Sequence, residues 1–211
     1  MTRGVDESIF YIVPVNADSY RIDSFKLAKQ IIDSGFVPDF VLPIWRGGAV
    51  PFTYVTESLA REGFEFDHFP VQGISYRGPG KRGVVGVRSL DEAIEIINGR
   101  RRDKNGQIRK YKKIIVGDDV FDEGETAYAF KQNLDKHVEH DKEIKVATVY
   151  WKPYANKTPI VPDFVVRPFE KQLIDGREKM PWIVFPHEIS DLSDEQLKRY
   201  YPDVYDIFLG K

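Results

Sequence analysis

Lys113–Thr126 reads KIIVGDDVFDEGET. Ile114, Ile115 and Val116 make a short apolar run of β-branched residues flanked by charge. That pattern suits a central parallel strand covered on both faces. The run predicts a strand that stops before Asp118 and Asp119, and open α/β sheets hold ligands just beyond the carboxyl ends of their strands. Gly124 and Thr126 then lead into a helical pattern, with Ala127, Phe130, Leu134 and Val138 at three- and four-residue spacing. A loop opening onto a helix offers unpaired backbone N–H groups to a phosphate. Two adjacent aspartates also serve as plain caps or solvated turn residues. The strand before them and the glycine loop and helix after them favour a ligand site.

The flanking sequence repeats the theme. Phe40–Ile44 reads as a buried strand running into Trp45-Arg46-Gly47-Gly48, with a helix from Ala49 through Ala60 that ends near Gly63. A third strand is predicted over Phe66–Val71, and another over Ile144–Val149, ending in Tyr150-Trp151-Lys152-Pro153. Before these, Phe10–Val15 suits a short strand or an extended arm. A helix follows from Asp18 or Ser19, with Phe25, Ala28, Ile31 and Ile32 on its apolar face and Gly35 as its stop. Leu90–Ile97 predicts a short amphipathic helix, and Asn105-Gly106 a hairpin turn. Strands alternating with helices predict an α/β fold, a mostly parallel twisted sheet with helices on both faces. The expected organisation is one domain, with a core over about 18–150, a hood over about 151–190 and a helical tail over about 191–211. Ser193-Asp-Glu195-Gln196 marks a capped helix in that tail.

Composition narrows the function. The chain has 211 residues, 42% hydrophobic and 30% charged, enough for one sizeable core. A net charge of −2 argues against a nucleic-acid partner or a strong pull to anionic membrane. With no cysteine, neither disulfides nor thiolate metal sites are available. No basic region precedes a long apolar stretch, and no apolar run approaches a membrane span, so a cytoplasmic protein is expected. The four histidines show no metal-ligand spacing. The basic run from Arg100 to Lys104 suits a solvated face.

Asp118-Asp119-Val-Phe-Asp122-Glu-Gly124-Glu-Thr126 resembles the phosphoribosyl-pyrophosphate (PRPP) signature of the type I phosphoribosyltransferases. In that family two acids follow an apolar strand and precede a loop that usually reads Asp-Thr-Gly-x-Thr. This sequence departs at Glu123, where the family has a hydroxyl residue. Arg46-Gly47-Gly48 resembles the Arg-Gly-Gly loop of the purine members, although a glycine pair also suits any tight βα turn. Ser75-Tyr76, heading the glycine-rich basic segment through Gly83, resembles the start of the loop that closes over the reacting ribose. Pro181-Trp182-Ile183-Val184-Phe185-Pro186-His187-Glu188 resembles the hood segment of the xanthine-guanine and archaeal purine members, with His187 where the family often has a second tryptophan. The chain as a whole most resembles the xanthine-guanine and hypoxanthine (6-oxopurine) members. The resemblance spans roughly Phe40–Glu188, with an extra excursion around Glu170–Met180.

The resemblance implies a role for each position. Asp118 and Asp119 would hold the ribose hydroxyls, and with Glu188 would bind Mg²⁺. Asp122, Glu123, Gly124, Glu125 and Thr126 would grip the 5′-phosphate, with Asp122 also acting as general acid/base at N7 of the base. Arg46, Gly47, Ser75 and Tyr76 would meet the pyrophosphate. Lys152 would donate to the oxygen at C6, a contact that an adenine amino group does not accept; read alone, it is a surface lysine at a strand end. Trp182 would stack on the purine and the Ile183 carbonyl would accept from it, while a buried aromatic in a core strand is the plainer reading of Trp182. The implied partners are PRPP and a purine base, in a homo-oligomer, dimer or tetramer. The rivals are a PRPP- or nucleotide-sensing regulator on the same fold and a hydrolase in which water replaces the base.

Overall fold

β-Branched Ile114–Val116 lies at the centre of the larger sheet in a computed structural model that describes residues 4–75 and 85–210. The chain divides into two units, Arg21–Pro168 and Met1–Tyr20 with Phe169–Lys211. In chain order it forms β1 (Phe10–Pro14), α1 (Ala17–Asp33), β2 (Phe40–Trp45) and α2 (Ala49–Arg61). Next come β3 (Asp67–His68), β4 (Val71–Ser75), β5 (Val85–Arg88) and α3 (Leu90–Ile97). The larger unit ends with β6 (Lys113–Phe121), α4 (Glu125–His137), β7 (Glu143–Trp151) and β8 (Phe164–Pro168). The smaller has β9 (Gln172–Ile174), β10 (Arg177–Val184), α5 (Asp194–Tyr200) and α6 (Pro202–Phe208). None of the described helices is long and apolar enough to cross a membrane.

In the larger unit β6 pairs in parallel with β2 on one side and β7 on the other. The strand order is β5-β4-β2-β6-β7-β8, with β3 also on β2, and among the described residues only the β4–β5 pairing of this sheet is antiparallel. This is the mostly parallel α/β sheet that the alternation predicts. Side chains alternate across it. Phe40, Leu42, Ile44, Ile114 and Val116 enter one cluster with Ile94 and Ile97 of α3 and Phe130 and Leu134 of α4. On the opposite face, a Cβ added to Gly117 would fall 2.2 Å from the Phe52 ring of α2. Glycine at 117 lets that ring rest on the backbone.

Several local expectations change. β6 runs past Val116 to Phe121, so Asp118 and Asp119 lie inside the strand rather than after it. The cause is β7, which continues alongside and pairs Val120 with Tyr150 and Phe121 with Trp151. The strand expected over 66–71 is instead β3 and β4, interrupted at Phe69-Pro70, where proline has no N–H to donate. Asn105-Gly106 turns the chain without forming hairpin strands. Asp103 takes the backbone donors there, its Oδ1 accepting from the Asn105 and Gln107 N–H groups, each at 2.8 Å. Asn16 caps α1, accepting from the N–H groups of Asp18 and Ser19 at 2.9 and 3.1 Å. The buried stripe of that helix is Ser24, Leu27, Ala28 and Ile31, whereas Phe25 is exposed.

Asp23, buried on the same stripe, ties α1 to the sheet. Its carboxylate accepts from Arg167 of β8 at 3.1 Å and from the Tyr150 hydroxyl of β7 at 3.2 Å. Burial, with the Asp23 charge nearby, pushes the Tyr150 phenol up to about 12. A raised phenol pKa contributes stability that is complete below the unfolded value of about 10. That contribution is lost as pH rises through the folded value. Unfolding free energy measured from pH 9.5 to about 12 is therefore expected to fall less steeply in Tyr150→Phe than in the wild type. Tyr111, also raised by burial, supplies part of the remaining slope. Equal slopes in the two proteins would contradict this account.

In the smaller unit β10 pairs in parallel with β1 and antiparallel with β9. Residues 10–14 therefore form a strand, and its partner comes from the far end of the chain. β8, placed by sequence in the hood, joins the main sheet on β7. The excursion over 170–180 is the β9–β10 hairpin, turning at Asp175 and Gly176, which have φ of 52° and 72°. Ser193 and Gln196 form the expected capping box at α5. Gln196 Nε2 also donates to the Val5 carbonyl at 2.8 Å, tying α5 to the N-terminal segment.

Candidate active site

The two acids of β6 are fixed by the backbone beside them. Asp118 Oδ1 accepts the Asp119 N–H at 3.0 Å, and Asp119 Oδ1 accepts the Val120 N–H at 2.7 Å. Asp119 is buried and Asp118 partly so. Beyond Phe121 the chain turns through Asp122, Glu123 and Gly124 into α4. Gly124 has φ of 79°, a left-handed conformation open to glycine. No side chain caps α4, so its first-turn N–H groups and the positive end of its dipole face the loop. Thr126 lies in that first turn. A Cβ on Gly73 of β4 would fall 2.8 Å from its methyl group, so β4 borders the start of the helix.

The Arg46-Gly47-Gly48 turn leaves β2 and rests on the same acids. A Cβ on Gly47 would fall 2.2 Å from Asp119 Oδ2, and one on Gly48 2.5 Å from the Gly117 carbonyl oxygen. The close approach explains both glycines better than turn geometry does. The Trp45–Arg46 peptide is cis, and Arg46 is exposed.

On the other side, Lys152 follows β7, and its N–H donates to the Phe121 carbonyl at 2.9 Å. Its buried side chain reaches back, placing Nζ 2.8 Å from Asp122 Oδ2. A buried ammonium needs such a partner. The half-exposed Glu123 carboxylate pairs with Lys157, whose own N–H donates to the Glu123 carbonyl at 2.9 Å. Sequence reading missed Lys157, because the contact joins positions 34 apart through a turn with no motif of its own.

Arg46, Gly47, Asp118, Asp119, Asp122 and Lys152 thus gather where β2, β6 and β7 end, beside the first turn of α4. Ser75 ends β4, while Tyr76 and the segment through Gly83 lie outside the described residues. Trp182 and Ile183 are on β10 and Glu188 follows it, all in the smaller unit. There Trp182 meets Phe10 edge-on, with centroids 5.1 Å apart, and joins an apolar cluster with Ile12 and Leu192. The Glu188 N–H donates to the Phe185 carbonyl at 3.0 Å, and His187 stacks on Phe185 at 5.2 Å. Trp182 is partly buried and takes part in the packing of the smaller unit.

No protein-family model and no curated protein matches the sequence. Solved structures do. The purine phosphoribosyltransferase of Pyrococcus horikoshii is 24% identical, with a TM-score of 0.58 over 84% of this chain and 93% of its own. A hypothetical protein from Neisseria gonorrhoeae, solved with bound ppGpp, is 21% identical, with a TM-score of 0.64 over 92% and 98%. The xanthine-guanine-hypoxanthine phosphoribosyltransferase of Helicobacter pylori is 17% identical, with a TM-score of 0.56 over 85% and 95%. The chain has the type I phosphoribosyltransferase fold.

Proposed function

We propose that the chain is a purine phosphoribosyltransferase. It transfers ribose 5-phosphate from PRPP to N9 of guanine, xanthine or hypoxanthine and releases pyrophosphate. The observation that carries the reading is the Lys152–Asp122 pair, 2.8 Å apart at the end of β7 and the start of the phosphate loop. It supplies together a donor suited to an exocyclic oxygen and a carboxylate suited to a ring nitrogen.

The C1′–O bond breaks through an oxocarbenium-like state, as in other glycosyl transfers. No covalent attack by the protein is needed; holding the reactants in line and stabilising the departing charge suffices. Asp118 and Asp119 orient the ribose hydroxyls. The uncapped turn of α4, with the Thr126 hydroxyl, holds the 5′-phosphate, and Arg46 with the Gly47 backbone meets the pyrophosphate. Asp122 moves a proton at N7 of the base.

Two adjacent carboxylates with rotamers set by backbone bonds suit a hard cation, so Asp118 and Asp119 would hold Mg²⁺. When bound, the ion neutralises charge on the pyrophosphate oxygens. Glu188 is a further proposed ligand.

A second reading is favoured by the Neisseria gonorrhoeae neighbour, which was solved with bound ppGpp. On this reading the chain binds a nucleotide at the proposed site without transferring ribose 5-phosphate, and regulates. Pyrophosphate release that requires both PRPP and an oxopurine tests the choice. Release from PRPP alone is hydrolysis and overturns the transferase, and tight nucleotide binding without release favours the regulator.

A further inference from the structure

Glu123 puts a carboxylate into the turn proposed to hold a phosphate, and the structure pairs that charge with Lys157. Lys157 is attached to the turn twice, through its ammonium to the Glu123 carboxylate and through its N–H to the Glu123 carbonyl at 2.9 Å. The segment around it is braced from within. Asn156 Oδ1 accepts the Thr158 N–H at 2.9 Å, and Asn156 Nδ2 donates to the Ile160 carbonyl at 2.8 Å. Thr158 in turn presses on the loop, its Oγ1 lying 2.8 Å from where a Cβ on Gly124 would fall. The turn after β7 thus buttresses the loop and brings a cation to the one position where the loop departs from its family pattern.

We propose that Lys157 is a specificity-determining residue of the phosphate site. It cancels the Glu123 charge, and when a phosphate monoester occupies the loop its ammonium is shared between the carboxylate and the phosphate. The inference rests on the phosphate-loop reading given above. Both side chains are about half exposed, 59% for Lys157 and 47% for Glu123, so the pair itself contributes little to stability and shifts at little cost. A phosphate dianion competes well with a carboxylate for an ammonium. Without Lys157, its ammonium no longer offsets the Glu123 charge beside the dianion.

Calorimetric titration of the full chain at low salt tests this, with guanosine 5′-monophosphate as probe and guanosine as the phosphate-free control. Lys157→Ala is expected to weaken the monophosphate on the order of 10-fold, the scale of an uncompensated charge near a dianion at the protein surface. Guanosine binding should not change. Lys157→Arg should keep monophosphate affinity, and Glu123→Thr combined with Lys157→Ala should restore it. Equal weakening of guanosine, or no recovery in the double variant, would overturn the inference by showing a merely structural role. A wild type that prefers the monophosphate, joined to an unaffected Lys157→Ala, sinks this inference alone. A wild type that binds both probes equally sinks the phosphate-loop reading as well.

Discussion

Replacing Asp122 with asparagine is expected to lower kcat/KM for an oxopurine by about 10²–10⁴-fold, the usual contribution of a positioned acid–base group. Asparagine has the same size and can still accept from Lys152 Nζ, which lies 2.8 Å from the aspartate oxygen. The change removes the charge and the proton transfer while keeping the contact. The loss should therefore fall mainly on kcat, with PRPP affinity retained. Steady-state rates of pyrophosphate release with varied base and varied PRPP separate the two. A variant with native kcat would remove Asp122 from the chemistry and leave it a structural partner of the lysine.

Gly47→Ala should be as damaging for a different reason. The added methyl would fall 2.2 Å from Asp119 Oδ2, closer than any stable contact. That oxygen cannot easily yield, because the other oxygen of Asp119 is held by the Val120 N–H at 2.7 Å and the residue is buried. Either the turn lifts off β6 or the acid leaves its rotamer, and both disturb the proposed pyrophosphate and ribose contacts. The expected result is a stability loss of roughly 1–3 kcal/mol, typical of overpacking. PRPP binding should fall well beyond what that destabilisation explains. Urea unfolding and PRPP titration of the same variant check both parts. Native PRPP affinity in a folded Gly47→Ala protein would contradict the placement of the turn.

The central strand, its flanking helices and the parallel pairing were legible because burial on both faces leaves a plain mark, Ile114–Val116 in β6 and Phe40–Ile44 in β2. Strand ends were not, since Asp118 and Asp119 are polar yet remain paired with a strand that continues beside them. Local patterning also could not say which distant segments meet. Residues 10–14 read as strand or arm until β10, from the other end of the chain, supplies the partner. Asn105-Gly106 looked like a hairpin, but the Asp103 carboxylate claims the donors that a ladder would need. At the site, Gly47 and Gly48 were legible because a side chain at either would meet β6, and Gly124 because its φ of 79° is left-handed. Lys157 left no such mark, for an exposed lysine fits almost any surface turn.

The measurement that bears most directly on the central claim is nucleotide formation from PRPP and Mg²⁺ with guanine, xanthine, hypoxanthine and adenine offered separately. The account predicts a purine nucleoside 5′-monophosphate and an equal amount of pyrophosphate from at least one oxopurine, and none from adenine. Turnover of adenine alone, or of no base at all, would contradict it.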